Sequence, residues 1–344
     1  GKTTIIKTII ELYKKHKKKA VLCAPTGRAA KRMTETTGEE AKTLHRLLEI
    51  GKIEDEGNYE NIDFDIAPLD ADVVIIDEMS MVDVFLMNYL VKALYQGTKL
   101  ILVGDVDQLP SVGPGNVLED LINSQKITTI TLNKIFRQAA KSKIILNSHR
   151  INNGETFIKK DEVEDELNED FFYVKETNQE KILEQVISLC SGRLKKMGDY
   201  DFFKNIQVIT PTKKGLLGTK DLNKALQEKM NPKSEKKAEK NVLGTVFRVG
   251  DKVMQVKNNY DIYWERKIEK QIENSNDYEG TVKRELETGT GVFNGELGII
   301  QKIDDLEKQI KVKFDDDKVV WYQYSELEQL EHAYAITVHK AQRK

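Results

Sequence analysis

An apolar run that ends in two acidic residues constrains the fold of this chain more than any other segment. Val73, Val74, Ile75 and Ile76 are four consecutive β-branched residues, and Asp77-Glu78 follows at once. Such a run predicts a strand buried on both faces, which is typical of a parallel sheet covered by helices. We therefore expect an α/β fold with this acidic pair at the carboxyl end of a central strand.

The position of the two carboxylates indicates a chemical role. In open α/β sheets, ligands bind at the carboxyl ends of the strands. An aspartate placed there can hold a Mg²⁺ ion that bridges nucleotide phosphates, and an adjacent glutamate can orient the attacking water. A polar strand end without function has the same sequence, so Asp77-Glu78 alone leaves both interpretations open.

The first residues of the chain favour the nucleotide interpretation. Gly1-Lys2-Thr3-Thr4 matches the second half of the phosphate-binding loop G-x-x-x-x-G-K-[ST], whose lysine reaches the phosphates and whose hydroxyl binds Mg²⁺. Isoleucines at helical spacing follow, so a helix is predicted to start just after the lysine. We expect the chain to begin inside this motif, as a fragment, and together with Asp77-Glu78 it predicts a nucleotide-hydrolase core.

Composition limits the remaining possibilities. The chain has 344 residues, which suits two or three domains, with 39% hydrophobic and 32% charged residues. No apolar run approaches membrane-spanning length and no signal-like segment is seen, so we expect a cytoplasmic protein without membrane contact. Two cysteines make neither a disulfide framework nor a metal cluster. With a net charge of −2, nucleic-acid binding requires a local basic groove.

Six strand candidates share one property: each runs into polar residues on its C-terminal side. Polar groups gathered on one edge of two sheets form a cleft that can grip a phosphate ester and a partner strand, which favours an enzyme. The candidates are centred on Val21, Val74, Leu102, Ile130, Val208 and Ile336. The polar groups that follow them are Pro25-Thr26, Asp77-Glu78, Gly104-Asp105 with Gln108, Asn133 with Arg137, Thr210-Pro211-Thr212, and Thr337 with His339.

The pattern becomes strand-like between Val242 and Leu330, where short alternating runs are separated by tight turns, as in a small β-barrel. Within it, the segment Tyr260–Gly291 is polar, and Ile268 and Ile272 lie at helical spacing. Nearer the start of the chain, the polar, glycine-punctuated segment Gly51–Asp63 predicts a small hairpin or surface loop.

Taken together, the motifs resemble those of the RecD/TraA-type superfamily 1B DNA helicases, and within them the stand-alone bacterial RecD-like helicases. The match covers nearly the whole chain, in order. Its segments are Gly1-Lys2-Thr3, 24–30 (APTGRAA), 43–48 (TLHRLL), 77–81 (DEMSM), 104–115 (GDVDQLPSVGPG), 135–138 (IFRQ), 292–295 (VFNG) and 334–342 (YAITVHKAQ).

The resemblance implies two RecA-like parallel-sheet motor domains with ATP between them and single-stranded DNA across both, with translocation 5′→3′. The first motor domain is expected at 1–139, with a hairpin pin at 51–63 that splits the duplex. The second is expected at 140–241 and, truncated, at 331–344. An SH3-like β-barrel insertion is expected at 242–330.

The resemblance also implies roles for single residues. Asp77 becomes the Mg²⁺ aspartate together with Thr3, Glu78 the base that activates water, and Arg137 an arginine finger. Gln108 becomes the sensor of the γ-phosphate. The implied nucleotide-binding residues are Gly1, Lys2, Thr3, Thr4, Gln108 and Arg137. The residues expected to face the DNA strand are Pro25, Thr26, Arg28, Thr43, His45, Thr210, Pro211, Thr337 and His339.

The partners implied are single-stranded DNA and its junctions with duplex DNA, and the protein is expected to be a monomer. In place of the Gly-Ser-Glu with which the family continues after His-Lys-Ala-Gln, this chain has Arg343-Lys344 and stops. Two alternatives stay open: an RNA-directed superfamily 1B helicase, and a nucleic-acid-binding module with an inert motor. His45 is as compatible with a core histidine as with a strand contact.

Overall fold

The structure of the protein is a computed structural model, and it shows a mixed α/β architecture with two parallel sheets and one large antiparallel sheet. The residues it describes are 2–50, 66–132, 141–158, 170–198, 200–272 and 281–342.

The first lobe is built around a four-stranded parallel sheet with the strand order β2-β1-β3-β4. Its strands are β1 Ala20–Ala24, β2 Ala41–Thr43, β3 Val73–Ile76 and β4 Lys99–Leu102. Its helices are α1 Lys2–Lys15, α2 Gly27–Thr37, α3 Leu44–Leu47, α4 Val84–Ala93 and α5 Val117–Asn123, with a 3₁₀ turn at Met79–Met81.

Strand β3 is buried on both faces, as its β-branched run predicts. Val74 and Ile76 belong to a core cluster that includes Leu90 of α4. Val73 and Ile75 belong to a second cluster that includes Ile6 of α1. All four strand residues are fully buried. The apolar run thus holds the central strand rigidly between two layers of helices and fixes the position of the carboxylates that follow it.

The second lobe contains two short parallel strands, β5 Val208–Thr210 and β15 Ala335–Thr337, paired with Thr210 opposite Thr337. Its apolar core includes Phe202, Leu226 and Tyr334. Its helices are α6 Lys143–Asn152, α7 Gln179–Ser188, α8 Leu194–Met197, α9 Thr219–Met230 and α10 Val338–Gln342, with a π-helical segment at Leu189–Arg193.

Between α9 and β15 the chain forms a hairpin and then a seven-stranded antiparallel sheet. The order of the large sheet is β10-β9-β13-β12-β11-β8-β14, and among the described residues no pairing joins its two edge strands. The hairpin strands are β6 Glu239–Val242 and β7 Thr245–Arg248. The sheet strands are β8 Lys252–Gln255, β9 Asn259–Ile272, β10 Thr281–Val292, β11 Leu297–Asp304, β12 Gln309–Phe314, β13 Val319–Gln323 and β14 Leu330–His332, with a 3₁₀ turn at Tyr324–Gln329.

Two sequence predictions are wrong. The helical interpretation of Ile268 and Ile272 fails because a spacing of four residues also places two side chains on the same face of a strand, and both lie in β9. The strand candidate at Ile130 is not a strand; its side chain is 86% exposed. β-Propensity describes a fit to a half-buried sheet surface, and Ile130 has no such surface to pack on.

Five of the six strand candidates are confirmed, and their carboxyl ends lie as expected. In the first lobe, Ala24 at the end of β1 is paired in register with Thr43, and Cys23 is paired with Ile76. The residues that follow these strands therefore share one edge of the sheet. Among the described residues, no helix is long and apolar enough to cross a lipid bilayer.

Candidate functional site

A pocket at the carboxyl edge of the first sheet brings together Lys2, Asp77 and Glu78. Lys2 is the first residue of helix α1, and the two carboxylates follow β3. The remaining wall is contributed by Ile6 of α1 and by one face of helix α2. Residues far apart in the sequence thus meet at the edge where α/β sheets bind ligands.

Glu78 has an unusual conformation and environment. Its φ is +53°, in the left-handed region that non-glycine residues seldom occupy. Its Oε2 atom is buried and has no hydrogen-bond partner among the described residues. Burial raises the pKa of Glu78, with Asp77 and Asp105 acting in the same direction, while Lys2 and Arg32 oppose them. Strain and an unsatisfied buried oxygen together are typical of a group held ready for a substrate.

Asp77 is oriented differently from its neighbour. Its Oδ1 accepts a hydrogen bond from the backbone N–H of Glu78 at 2.9 Å, which leaves Oδ2 directed away from that contact. Mg²⁺ sites near nucleotides commonly use one or two protein oxygens plus substrate phosphates. Among the described residues, no cluster of three acidic, histidine or cysteine side chains forms a self-sufficient metal site. Of the described residues that line the pocket, Asp77 offers carboxylate oxygens that fit a Mg²⁺ ion shared with phosphates.

Gln108 lies where the two lobes meet. Its Nε2 donates to Asp105 Oδ2 at 3.3 Å. From the other lobe, Gln342 of α10 donates through Nε2 to Gln108 Oε1 at 3.4 Å and to Leu109 O at 3.1 Å. A second contact between the lobes joins Asn152 Nδ2 to Asp107 Oδ1 at 2.9 Å. The loop after β4 therefore connects the pocket of the first lobe to the last helix of the second.

Of the five residues expected to face DNA in the first lobe, two threonines cap helices. Thr26 caps helix α2 by accepting a hydrogen bond from the Ala29 N–H at 3.2 Å. Thr43 caps α3 in the same way through the Arg46 N–H. Pro25, which directly follows β1, is half-buried. His45 of α3 is also half-buried, and it interacts with another group.

In the second lobe, Thr210 and Thr337 are register partners and are both buried. The Thr210 hydroxyl donates to Leu217 O at 2.6 Å, and Thr337 Oγ1 accepts from the Lys340 N–H at 3.3 Å. Pro211 and His339, one and two residues farther on, are exposed. The polar residues that follow β5 and β15 thus share one edge of this sheet, as the sequence predicts. Of these four residues, only Pro211 and His339 are exposed to solvent.

The antiparallel sheet contacts the first lobe beside these residues. Arg28 Nη1 donates to Gly295 O at 3.4 Å, and Thr43 Oγ1 lies 3.4 Å from Tyr260 Oη. Gly27 packs so closely under Phe293 that an added Cβ would lie 2.5 Å from its ring, so this position requires glycine. The loop between β10 and β11 also contacts the second lobe, because Lys340 of α10 donates to Asn294 Oδ1 at 2.6 Å.

Several predicted groups lie outside the described residues. These are Gly1, the side chain of Thr3, the arginine finger Arg137 and the pin 51–63. Thr4 is described and exposed in the first turn of α1.

Two residues near the pocket were missed as site residues by the sequence analysis. Arg32 lines the pocket from α2, and Gln342 reaches Gln108 from the second lobe. A signal for Arg32 exists: Ala29, Arg32 and Thr36 recur at spacings of three and four, so they share one helix face. No sequence pattern pairs Gln342 with Gln108, because that contact depends on how the lobes are packed.

Comparison with protein families identifies two matching domains. The AAA domain family matches residues 1–114. The SH3 domain of ATP-dependent RecD-like DNA helicases matches residues 222–314. The first match covers the lobe that carries the pocket, and the second covers α9, the hairpin and most of the antiparallel sheet.

Similar proteins extend the match along the chain. The ATP-dependent RecD2 DNA helicase of Deinococcus radiodurans is 33% identical over 99% of this chain, which spans 40% of that protein. The RecBCD enzyme subunit RecD of Buchnera aphidicola (subspecies Schizaphis graminum) is 26% identical over 99% of this chain, which spans 62% of it. The chain therefore corresponds to less than two thirds of either relative.

A solved structure agrees in fold. The crystal structure of a Bacteroides Pif1 helicase in complex with ADP-AlF3 and single-stranded DNA aligns with 99% of this chain and 77% of that chain, with a TM-score of 0.50 and 19% identity. Two family matches in sequence order, together with a relative that aligns with 99% of this chain, show that the chain is similar to the ATP-dependent RecD-like DNA helicases.

Proposed function

We propose that this chain is the motor of a helicase that hydrolyses ATP, moves 5′→3′ on single-stranded DNA and separates duplex DNA in repair or recombination. The motor domains would be 1–139 and 140–241 with 331–344, and the inserted SH3-like unit would be 242–330. The proposal extends to the intact protein, which would act as a monomer at junctions between single-stranded and duplex DNA.

The observation that carries the proposal is the contact of Gln342 with Gln108 and Leu109. It joins the last helix of the second lobe to the loop whose Asp105 acts electrostatically on Glu78. A nucleotide bound between Lys2, Asp77 and Gln108 would thereby change the contact between the lobes. A motor needs such a connection, because only differential contacts with ATP and ADP can shift the two lobes between conformations.

The hydrolysis step uses the residues of the pocket. A water molecule attacks the γ-phosphorus, the bond to the oxygen bridging the β- and γ-phosphates breaks, and Glu78 takes the proton from the water. The products are ADP and inorganic phosphate. Lys2 neutralises charge on the β- and γ-phosphates. Bound Mg²⁺, held by Thr3 and Asp77, would supply further charge neutralisation at the phosphates.

The second half of the cycle rests on residues that change position with the lobes. Arg137, acting as an arginine finger, would reach the γ-phosphate only in a closed state, and such groups contribute ~10³–10⁵ in rate in comparable enzymes. Backbone contacts by Pro25, Thr26, Arg28, Thr43, His45, Thr210, Pro211, Thr337 and His339 would alternate during the cycle. Since such contacts do not read bases, binding should tolerate sequence and weaken with salt.

A strand-displacement assay with 5′-tailed and 3′-tailed duplexes tests this function on the intact protein. We expect ATP-dependent unwinding of the 5′-tailed duplex only. The Lys2→Ala variant should lose ATPase activity and unwinding while it keeps DNA binding. Deletion of 52–61 should spare translocation and impair unwinding if that segment is the pin.

Other outcomes have definite meanings. Unwinding of the 3′-tailed duplex alone would overturn the polarity. Stimulation of ATP turnover by RNA oligomers and not by DNA oligomers would point to an RNA-directed helicase. DNA binding without DNA-stimulated turnover would show that the motor is inert.

A further inference from the structure

Helix α2 contacts the antiparallel sheet and its loops on one side and lines the nucleotide pocket on the other. It runs for eleven residues, from Gly27 to Thr37. Its N-terminus is capped by Thr26, and its C-terminus ends at Gly38, which has a left-handed φ of 76°. A helix capped at both ends behaves as a rigid unit, so a displacement at one face is transmitted to the other.

One side of α2 contacts the antiparallel sheet near the residues proposed to face DNA. Gly27 packs under Phe293, and Arg28 donates to Gly295 O. Lys31 forms an ion pair with Asp316. These contacts hold the N-terminal half of the helix against the antiparallel sheet and its loops.

The other side of α2 lines the nucleotide pocket. Ala29, Arg32, Met33, Thr36 and Thr37 face Lys2, Asp77 and Glu78 across it. Of the α2 residues that line this pocket, Arg32 is the only cationic one. The Arg32 guanidinium forms no hydrogen bond or ion pair with another described residue, so it is free to approach a carboxylate there.

The charges around Glu78 indicate what Arg32 does. Two cations, Lys2 and Arg32, act on this carboxylate, and two anions, Asp77 and Asp105, oppose them. When ATP is bound, Lys2 would be engaged by the phosphates. Arg32 is then the cation left to hold the buried Glu78 oxygen that has no hydrogen-bond partner in the described structure.

We propose that Arg32 is a positioning residue that orients the Glu78 carboxylate toward the attacking water, and that helix α2 couples the binding of a DNA strand at Thr26 and Arg28, in its first turn, to this orientation. The inference rests on the proposed function, because it assigns Glu78 the role of base. A charge-assisted hydrogen bond from a planar guanidinium fixes both the distance and the direction of a carboxylate. When DNA moves the first turn of α2, Arg32 moves with it, and ATP turnover responds to DNA.

Steady-state ATPase measurements on the intact protein, with and without oligothymidylate, test the proposal. Arg32→Ala should lower the DNA-stimulated kcat about tenfold to a hundredfold, less than the ~10²–10⁴ attributed to a complete general base. KM for ATP should change much less than kcat. The rate without DNA should fall less than the stimulated rate. Arg32→Lys retains the positive charge but lacks the planar guanidinium group, so it should recover part of the DNA-stimulated kcat.

Lys92→Ala is the control, since it removes an exposed cation from helix α4 of the same lobe, outside the lining of the pocket. It should leave kcat at saturating oligothymidylate near that of the wild-type protein. Circular dichroism melting curves of all variants should coincide with the wild-type curve, so that a fall in kcat reflects the site.

Three results would overturn the proposal. A wild-type kcat in Arg32→Ala would remove the positioning role. A raised KM with unchanged kcat would make Arg32 a direct nucleotide ligand. Equal losses with and without DNA would remove the coupling. The Lys2→Ala variant separates these results from a failure of the proposed function. If Lys2→Ala retains full ATPase activity, the proposed function is wrong. If Lys2→Ala is inactive and Arg32→Ala has wild-type activity, only the role of Arg32 is rejected.

Discussion

Two carboxylates in this protein have opposite environments: the half-buried Glu78 at the edge of the parallel sheet and the buried Asp251 directly before strand β8 of the antiparallel sheet. Glu78 has a strained backbone and a buried oxygen without a hydrogen-bond partner in the described residues. Asp251 is fully buried and surrounded by donors. Burial alone therefore does not distinguish a structural carboxylate from a reactive one; the hydrogen-bond partners do.

Asp251 connects the antiparallel sheet to helix α9 of the second lobe. Burial favours a raised pKa, but hydrogen bonds and the neighbouring His332 outweigh it, and the pKa of Asp251 is lowered. The pKa of Glu78 is raised. The groups around Asp251 are Gln227 Nε2 at 2.7 Å, Asn231 Nδ2 at 2.7 Å, the Arg248 N–H at 2.7 Å, His332 Nε2 at 3.1 Å and Tyr334 Oη at 2.8 Å.

The difference in hydrogen-bond partners indicates whether each carboxylate affects the stability of the fold or the reaction. A fully paired buried charge stabilises the joint between two units, because each donor would otherwise be buried without an acceptor. A buried oxygen without a partner costs stability and is retained where a ligand will supply the partner. Asp251 should therefore control folding, and Glu78 should control turnover.

The largest expected effect is on turnover in Glu78→Gln. The amide has the same shape and cannot accept the proton, so kcat for ATP should fall by ~10²–10⁴. The free energy of unfolding should stay the same or rise, because a neutral group is easier to bury. Turnover assays and urea unfolding measure the two quantities. Glu11→Gln, the same exchange at an exposed site of α1, serves as the control; a marked loss of stability in Glu78→Gln would contradict the comparison.

Next in size is the loss of stability in Asp251→Ala. Several buried donors would lose their acceptor at once, so the free energy of unfolding should fall by about 3 kcal/mol or more. Denaturant titration followed by circular dichroism measures it. Asp261→Ala, at an exposed site of β9, should change stability by no more than ~0.5 kcal/mol. Equal effects of the two substitutions would show that the Asp251 network is not stabilising.

A smaller effect is expected from acid. Because the folded-state pKa of Asp251 lies below its ordinary value of 3.8, its stabilisation is fully present above that pH and is lost as the pH falls through the folded-state value. Protonation removes the charge but keeps the atoms in place, so the loss should be less than in Asp251→Ala. Unfolding curves below pH 4 should therefore be less pH-dependent in Asp251→Asn than in the wild-type protein. Identical slopes would be evidence against a lowered pKa.

The smallest effect is expected in Tyr334→Phe, which removes one of several donors to Asp251 while the ring keeps its packing against Phe202. The free energy of unfolding should fall by about 1 kcal/mol. Tyr263→Phe removes a hydroxyl from a side chain that is 57% exposed and should be neutral. A larger loss in Tyr263→Phe than in Tyr334→Phe would contradict the account of the network.

Much of the parallel part of the fold was predictable because its signals are local. The run Val73–Ile76 indicates a strand buried on both faces without reference to any partner, and helical spacing after Lys2 indicates α1. The long antiparallel pair of β9 and β10 was not predictable, because the spacing of four residues between Ile268 and Ile272 fits a helix and a strand equally. The exposed Ile130 is a local signal that predicted a strand wrongly. A residue with high β-propensity does not form a strand without a surface to pack on.

The sequence by itself determined the α/β class, the carboxyl-edge position of Asp77 and Glu78, and the resemblance to RecD-like helicases, because each depends on residues that are adjacent in the chain. Only the tertiary structure decided which donors surround Asp251, that one face of α2 lines the nucleotide pocket, and that Gln342 meets Gln108. Apart from the Arg248 N–H, those contacts join residues between 20 and 234 positions apart, and no local pattern of hydrophobicity or propensity encodes which distant side chains will share a buried site.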